Sequence, residues 1–136
     1  MLIAFHKPFG VISQFTPETA DSRTLAEFNF PPHVYPIGRL DADSEGLLLL
    51  SDDSNLTSLL LPPAQKHPRN YWAQVERTPS PAALQELAAG VSVQGRRTLP
   101  CRAWLLDPAP TLPPRDPPIR FRKNVGTSWI ALELIE

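Results

Sequence analysis

The chain has 136 residues, of which 42% are hydrophobic and 20% charged, as is typical of one globular domain and not of a disordered protein. No apolar run approaches the roughly 20 residues that a membrane-spanning helix needs, and the first residues turn polar too soon for a secretory signal. Cys101 is the only cysteine, which excludes an internal disulfide and a cysteine-cluster zinc site. We therefore expect a cytoplasmic protein without a membrane partner, in which Cys101 is a buried, inert thiol.

Charge is distributed unevenly, although the net charge of −1 excludes a uniformly basic nucleic-acid binder. Residues 1–68 hold 4 lysines and arginines against 8 acids, whereas residues 69–123 hold 9 against 4. A basic middle stretch is compatible with a groove for phosphates, and equally with solvated surface arginines. Its cations are Arg69, Arg77, Arg96, Arg97, Arg102, Arg115, Arg120, Arg122 and Lys123.

The first half of the chain predicts short strands separated by turns. Residues 2–6 form a strand, and residues 7–10 a turn after it. Residues 25–28 make one helical turn, and the short apolar segment 34–37 leads into Gly38. The four leucines of residues 47–50 have the length and composition of a strand that is buried on both faces.

Two helices and one strand are predicted next. The leucines of residues 56–61 share a helix that ends at the following prolines. Residues 71–75 read as a strand. Ser80 caps a second helix, with proline at its first position, and Gly90 ends it.

The last third is predicted to be mostly extended. Residues 91–93 and 101–106 read as strands, while six prolines within residues 107–118 predict an exposed loop. Residues 127–136 alternate apolar side chains between two faces and predict a final strand. The order of elements indicates an α+β fold with a mixed, largely antiparallel sheet and a few helices.

A short segment at residues 38–50 carries the strongest chemical signal. It places Arg39 and three carboxylates between two glycines, and four leucines follow at once. Acids beside a buried apolar run are costly unless they are paired, so such a cost usually persists where the charge has a function. These acids are therefore candidates for a functional site, and we expect Asp43 to hydrogen-bond the loop backbone.

The same acids allow a different interpretation as a calcium loop. The spacing from Asp41 to Asp52 resembles D-x-D-x-D-G with an acid at position twelve. Asp52 is too short for the usual bidentate glutamate, and Pro36 and Gly38 are unsuited to an entering helix. We therefore expect no metal site here.

Three segments together resemble the RNA pseudouridine synthases that modify single uridines in ribosomal RNA. Residues 38–41 and 43–50 look like the catalytic aspartate signature of that family. Residues 7–11 are similar to its opening strand and loop. Residues 69–75 resemble its second motif, a basic residue shortly before an active-site tyrosine. The likeness is greatest to the shorter large-subunit enzymes, of the synthase E type.

This resemblance implies a fold, a chemistry and a set of contacts. The family folds around a long bent mixed sheet with a cleft across its middle, and it needs no metal, nucleotide or redox cofactor. By this resemblance Asp41 is the candidate catalytic residue, and it would act at C1′ of a flipped-out uridine in ribosomal RNA. Arg39 would contact a phosphate or fill the vacated stack, and Tyr71 would contact the uracil. Lys7 and Arg69 are weaker candidates for phosphate contacts.

Both ends of the chain differ from the family pattern. A small RNA-binding module is absent at the start, and the sequence stops at Glu136, where a third motif with a glycine and an arginine-rich helix is expected. We therefore expect residues 1–136 to be a C-terminally truncated catalytic domain. Whether this domain is catalytically active by itself stays open. We also expect the final strand to lie uncovered at a sheet edge, which favours dimerisation or element swapping.

A non-catalytic RNA-binding module is the remaining alternative. It would use the basic stretch 69–123 with aromatic residues such as Tyr71, Trp72 and Trp104. An acidic loop does not favour this alternative, because it repels phosphates.

Overall fold

The computed structural model describes residues 1–62, 67–119 and 125–135, and the chain divides into two compact units. The N-terminal unit comprises Met1–Gln65 with Arg115–Pro117, and the C-terminal unit comprises Lys66–Pro114 with Pro118–Glu136. Within the described ranges, none of the helices is long and apolar enough to cross a lipid bilayer.

The N-terminal unit is built on a three-stranded antiparallel sheet. Its elements are β1 (Leu2–Lys7), a 3₁₀ turn (Leu25–Phe28), β2 (Tyr35–Ile37), β3 (Gly46–Ser51) and α1 (Asn55–Leu60). Strand β3 lies in the centre, with β1 on one side and β2 on the other. Four of these elements were predicted and are confirmed, to within two residues at their ends, whereas β2 was predicted only as a short apolar segment.

The core of this unit lies on one face of the sheet. Leu48 and Leu50 point inward from β3 and pack with Val11 and Leu25, and all four side chains are buried. A cluster of phenylalanine rings with centroids 4.9–6.4 Å apart packs around them and adds aromatic contacts to the area that is buried. Its members are Phe5, Phe15, Phe28 and Phe30.

Strand β3 is not buried on both faces, and that expectation was wrong. Leu47 is 66% exposed and Leu49 is half-buried, while Leu48 and Leu50 are buried. Successive side chains of a strand point to opposite faces, and in the described structure only one face of this sheet carries a packed core. The sequence does not reveal this alternation, because inward-facing and outward-facing positions of residues 47–50 are all leucine.

The C-terminal unit begins with β4 (Arg69–Glu76) and α2 (Pro81–Ala89), both close to their predicted bounds. The Ser80 hydroxyl accepts a hydrogen bond from the Ala83 N–H at 3.1 Å, so the serine caps the helix as its position predicted. Gly90 follows the helix with φ of +116°, a conformation that favours glycine.

A small hairpin follows that the sequence did not predict in full. Strands β5 (Ser92–Val93) and β6 (Arg96–Arg97) pair antiparallel around Gln94 and Gly95, which have φ of +52° and +78°. Two consecutive positive φ angles are the requirement of a type I′ turn. Gln-Gly is a weaker signal for that turn than Asn-Gly, so β6 was missed.

The main sheet of this unit is completed by β7 (Arg102–Leu106) and β8 (Thr127–Leu134). The strand order is β4-β8-β7, and both pairings are antiparallel. Strand β8 is therefore the central strand, and the expectation of an uncovered edge there was wrong. Strand β8 offers no free edge for dimerisation, because both of its sides are already hydrogen-bonded to β4 and β7.

The proline-rich segment 107–118 contains no helix or strand, as predicted. Three predicted cations of the basic stretch lie outside the described residues, as does the end of the last predicted strand at Glu136. Those cations are Arg120, Arg122 and Lys123.

Candidate active site

The loop between β2 and β3, which we call the signature loop (residues 38–46), is shaped by a glycine at each end. Gly38 and Gly46 have φ of +80° and +126°. A side chain at Gly38 would also place its Cβ 2.9 Å from a methyl group of Leu61. Between the glycines, the Asp41 carbonyl accepts a hydrogen bond from the Ser44 N–H at 3.0 Å, which closes a turn.

Both backbone neighbours of Asp41 are fixed to the segment that follows β1. The Gly10 N–H donates to the Ala42 carbonyl at 2.6 Å. The Ser13 hydroxyl donates to the Leu40 carbonyl at 2.9 Å and accepts from the Leu40 N–H at 3.0 Å. Asp41 therefore projects from a backbone that is held on both sides, as a preorganised catalytic group requires.

Lys7 reinforces this attachment from inside the protein. Its exposed fraction is 0%, and its ammonium donates to the carbonyls of Val11 at 2.7 Å, Pro8 at 3.0 Å and Ala42 at 3.4 Å. An ammonium has three donors, and here all of them are used. The expectation that Lys7 contacts a phosphate is therefore corrected, because its ammonium is buried and all of its hydrogen-bond donors are already used.

Burial also changes the electrostatics of Lys7. Desolvation lowers the pKa of its ammonium below the ordinary value of 10.5, because burial disfavours the charged form. The negative charges of Glu45, Asp43 and Asp41 oppose that shift, in that order of strength. Lys7 thus supplies a positive charge beneath the acidic loop, in addition to its hydrogen bonds.

The carboxylates of the signature loop are not buried against the leucines, contrary to expectation. Asp41, Asp43 and Glu45 are all exposed. Within the described ranges, the Asp41 carboxylate forms no hydrogen bond or ion pair. The predicted hydrogen bond from Asp43 to the loop backbone is not found among these residues either. The loop therefore presents Asp41 to solvent, where a ligand can reach it.

Arg39 lies at the surface on the N-terminal side of Asp41. Its guanidinium donates to the Gln14 side-chain oxygen at 3.2 Å and lies 3.9 Å from a Glu18 carboxylate oxygen. Arg39 and Glu18 are both mostly exposed, and exposed ion pairs contribute only about 0–1 kcal/mol. Arg39 can therefore exchange these contacts for a stronger anion such as a phosphate.

Tyr71 and Arg69 occupy one face of β4 in the C-terminal unit. Both are half-buried, and they lie opposite Leu132 and Leu134 of β8. The structure thus brings Lys7, Arg39 and Asp41 together around one loop. It places Arg69 and Tyr71 side by side on one strand.

Ser13 and Gly10 are the residues of this site that sequence reasoning missed. They lie in or beside a polar segment without periodicity, and Ser13 meets Leu40 across 27 positions of sequence. Only the resemblance of residues 7–11 to the opening motif of the family pointed to this region.

The calcium interpretation is not supported by the elements around the loop. Strands β2 and β3 flank it, whereas a calcium loop of this spacing joins two helices. Among the residues that the structure describes, no three His, Cys, Asp or Glu side chains lie close enough together to hold a metal ion.

Comparison with known proteins adds an independent result. The family model described as RNA pseudouridylate synthase matches residues 1–103, which include the whole signature loop. The chain belongs to this family. The resemblance that residues 38–50 carried is therefore confirmed.

Curated relatives place the chain more narrowly within the pseudouridine synthases. It is 50% identical to ribosomal large subunit pseudouridine synthase E of Xanthomonas axonopodis pv. citri (strain 306), over 100% of this chain and 72% of that enzyme. It is 42% identical to the synthase E of Vibrio parahaemolyticus serotype O3:K6, over 99% of this chain and 56% of that enzyme. These names agree with the predicted synthase E type.

A solved structure supports the fold. A chain from a crystal structure of a pseudouridylate synthase superposes with a TM-score of 0.71 at 21% identity, over 99% of this chain and 51% of that chain. The predicted α+β class with largely antiparallel sheets is confirmed.

Proposed function

We propose that this protein isomerises a specific uridine to pseudouridine in ribosomal RNA of the large subunit, with Asp41 acting at C1′ of the flipped-out nucleotide. The observation that carries this proposal is the exposed Asp41 carboxylate on a backbone fixed at both neighbours. The names of the relatives, which are large-subunit synthases, support the choice of substrate.

The chemistry follows from the bonds that must change. The glycosidic bond between C1′ and N1 breaks, the uracil turns, and C5 bonds to C1′ while the C5 proton leaves and N1 gains one. Cleavage develops positive charge at C1′, as in glycoside hydrolysis. A carboxylate beside C1′ can stabilise that charge, attack C1′ covalently, or remove a sugar proton, and these three roles stay open.

Arg39 would assist the step in which the uridine leaves the stack. Extrusion of a base costs a few kcal/mol. Because its contacts with Gln14 and Glu18 are exposed and weak, Arg39 can turn towards a phosphate or occupy the vacated position.

Tyr71 and Arg69 are proposed as further substrate contacts. A half-buried tyrosine offers a ring for the uracil and a hydroxyl for the C5 proton. Arg69 lies two residues earlier on the same face and would contact a nearby phosphate.

We propose that residues 1–136 belong to one catalytic domain, although the chain forms two compact units. The family model supports this, since its match from residue 1 to 103 runs from the N-terminal unit into the C-terminal unit. The proposed isomerisation has no net redox change and transfers no group to another molecule, so its balance needs no cofactor. Its substrate implies a cytoplasmic enzyme.

A loop variant with a matched control tests the proposal. Pseudouridine is measured by mass spectrometry of nucleosides from a 23S ribosomal RNA transcript after incubation with each variant. Asp41→Asn should lower the rate roughly a thousandfold or more with little loss of RNA binding, as removal of a covalent or charge-stabilising group does. Asp43→Asn, an equally exposed change in the same loop, should stay within about threefold. A near-normal rate for Asp41→Asn contradicts the proposal.

A further inference from the structure

Ser13 contacts the signature loop through both polar backbone groups of one residue. Its hydroxyl donates to the Leu40 carbonyl at 2.9 Å and accepts from the Leu40 N–H at 3.0 Å. A hydroxyl has one hydrogen to donate and two lone pairs that accept, so both bonds can form at once. The Leu40 N–H belongs to the peptide group shared with Arg39, and the Leu40 carbonyl to the one shared with Asp41. Ser13 therefore fixes the orientation of both peptide groups between Arg39 and Asp41.

The Ser13 hydroxyl is itself held by the core of the N-terminal unit. Ser13 is only 4% exposed, and both of its sequence neighbours form backbone hydrogen bonds. The Ile12 N–H donates to the Arg23 carbonyl at 3.0 Å, and the Gln14 carbonyl accepts from the Leu25 N–H at 2.9 Å. Leu25 is fully buried. A buried and fully satisfied hydroxyl on a fixed backbone makes its surroundings rigid, so Ser13 links the loop to the core.

The two sides of the candidate aspartate are attached with different redundancy. On one side, the Ala42 carbonyl accepts from two donors, the Gly10 N–H and the Lys7 ammonium. On the other side, among the residues that the structure describes, the Leu40 backbone hydrogen-bonds to Ser13 alone. A change of Ser13 therefore releases the whole hydrogen-bonded attachment on the Leu40 side.

We propose that Ser13 is a positioning residue for the isomerisation, which acts through the Leu40 backbone and holds Asp41 in the orientation from which it reacts at C1′. The inference rests on the proposed function, since it needs Asp41 to be the reacting group. Ser13 is buried and would not touch the substrate, so it would change turnover and not affinity. A displacement of about 1 Å at a reacting group can cost about a hundredfold in rate, so an attachment at the adjacent residue is sufficient.

The test compares Ser13→Ala with the unmodified chain. Pseudouridine formation is measured over a range of concentrations of a 23S ribosomal RNA transcript, and RNA affinity by filter binding. Ser13→Ala should lower kcat about thirtyfold, while KM and RNA affinity stay within about threefold. Ser13→Thr keeps the hydroxyl with its donor and acceptor sites, and should restore kcat to within about fivefold of the unmodified chain.

Ser51 offers a matched control in the same unit. It is 5% exposed, and its hydroxyl also joins two backbone groups, the Met1 carbonyl and the Asp53 N–H. It ends β3, whereas the signature loop meets the start of that strand. Ser51→Ala should lower the melting temperature about as much as Ser13→Ala, because each change removes two hydrogen bonds, but it should leave kcat unchanged.

Stability and turnover are kept apart by the conditions of the assay. Thermal melts followed by circular dichroism give the melting temperature of each variant, and turnover is measured well below the lowest of them. If Ser13→Ala does not fold, Ser13→Cys carries the comparison. A thiol is close in size to a hydroxyl but is a weak donor and acceptor, so this variant should lower kcat about fivefold with unchanged RNA affinity.

Three outcomes overturn the inference. One is an unchanged kcat in Ser13→Ala, and another is a loss confined to KM or RNA affinity. The third is an equal loss of kcat in Ser13→Ala and Ser51→Ala, which makes Ser13 a residue for stability only. The proposed function fails separately, because an active Asp41→Asn variant refutes it, whereas an inactive Asp41→Asn variant beside a fully active Ser13→Ala variant refutes only the role of Ser13.

Discussion

The two units of the chain bury their side chains very differently. Of the eight buried hydrophobic residues in the described parts of the chain, six belong to the N-terminal unit. The C-terminal unit contributes Ile130 and Ala131, although its central sheet has longer strands. The N-terminal six are Val11, Leu25, Val34, Ile37, Leu48 and Leu50.

The packed core of the N-terminal unit bears on the position of Asp41. The N-terminal unit has a packed core, and the signature loop is fastened to it through Lys7, Ser13 and Gly10. A catalytic carboxylate needs such a fixed position, because small displacements from the reactive geometry are costly. The C-terminal sheet leaves aromatic and polar side chains accessible to solvent.

Core truncation should show the largest contrast between the units. Leu50→Ala removes a fully buried side chain and should lower the free energy of unfolding by about 3–4 kcal/mol. Leu132→Ala changes a half-buried residue of β8 and should cost about 1–2 kcal/mol. Urea denaturation measures both, and equal costs would contradict the difference in packing.

Lys7→Met should have the next largest effect. It removes the ammonium donor from the carbonyls of Val11, Pro8 and Ala42, of which Ala42 keeps its bond from the Gly10 N–H, and should cost about 2 kcal/mol of stability. Turnover should fall because Ala42 adjoins Asp41, while affinity for RNA stays unchanged. Arg23→Met, which breaks an exposed ion pair, should cost less than about 0.5 kcal/mol. An RNA-binding defect in Lys7→Met would restore the phosphate role.

Glycine substitutions sharpen the comparison. Gly38→Ala and Gly90→Ala both place a side chain at positive φ, with the new Cβ 2.9 Å from Leu61 and 2.6 Å from the Thr98 carbonyl oxygen. Each should cost about 1–2 kcal/mol, but only Gly38→Ala should also lower turnover, because it deforms the signature loop. Gly126→Ala has open space and no positive φ, so it should be nearly neutral. Equal turnover in Gly38→Ala and Gly90→Ala would show that the shape of the signature loop does not affect catalysis.

The smallest expected effect is a pH dependence of stability from Lys7. Burial lowers the pKa of its ammonium, so between that lowered pKa and 10.5 the unfolded chain binds more protons than the folded chain. Stability contributed by this group therefore rises with pH through that interval. Urea denaturation should show the advantage of the unmodified chain over Lys7→Met growing as the pH approaches 10.5. A shrinking advantage would mean that Lys7 is not desolvated.

Local signals predicted most elements, but not which elements meet. The alternation of residues 127–134 correctly predicted a strand, yet its position between β4 and β7 depends on pairings across more than 20 residues. An edge strand and a central strand have the same alternation when one face of the sheet is apolar. The burial of β3 was overestimated for a related reason, since its leucines do not show which face is covered.

The candidate site was selected from a motif, and the roles of its residues stay predictions. Asp41 and Arg39 were selected from the signature loop, and the comparisons support that choice of segment. The role of Lys7 was not predictable, because a lysine beside a turn is usually solvated. Its burial follows from carbonyls supplied by the turn itself and, 35 residues away, by Ala42.

The position of Asp41 relative to a bound substrate tests the central claim most directly. The measurement is the structure of the protein in complex with an RNA that contains the target uridine. The account predicts a carboxylate oxygen of Asp41 about 3–3.5 Å from C1′ of a flipped-out nucleotide. A carboxylate that lies far from the sugar, or that coordinates a cation instead, would contradict it.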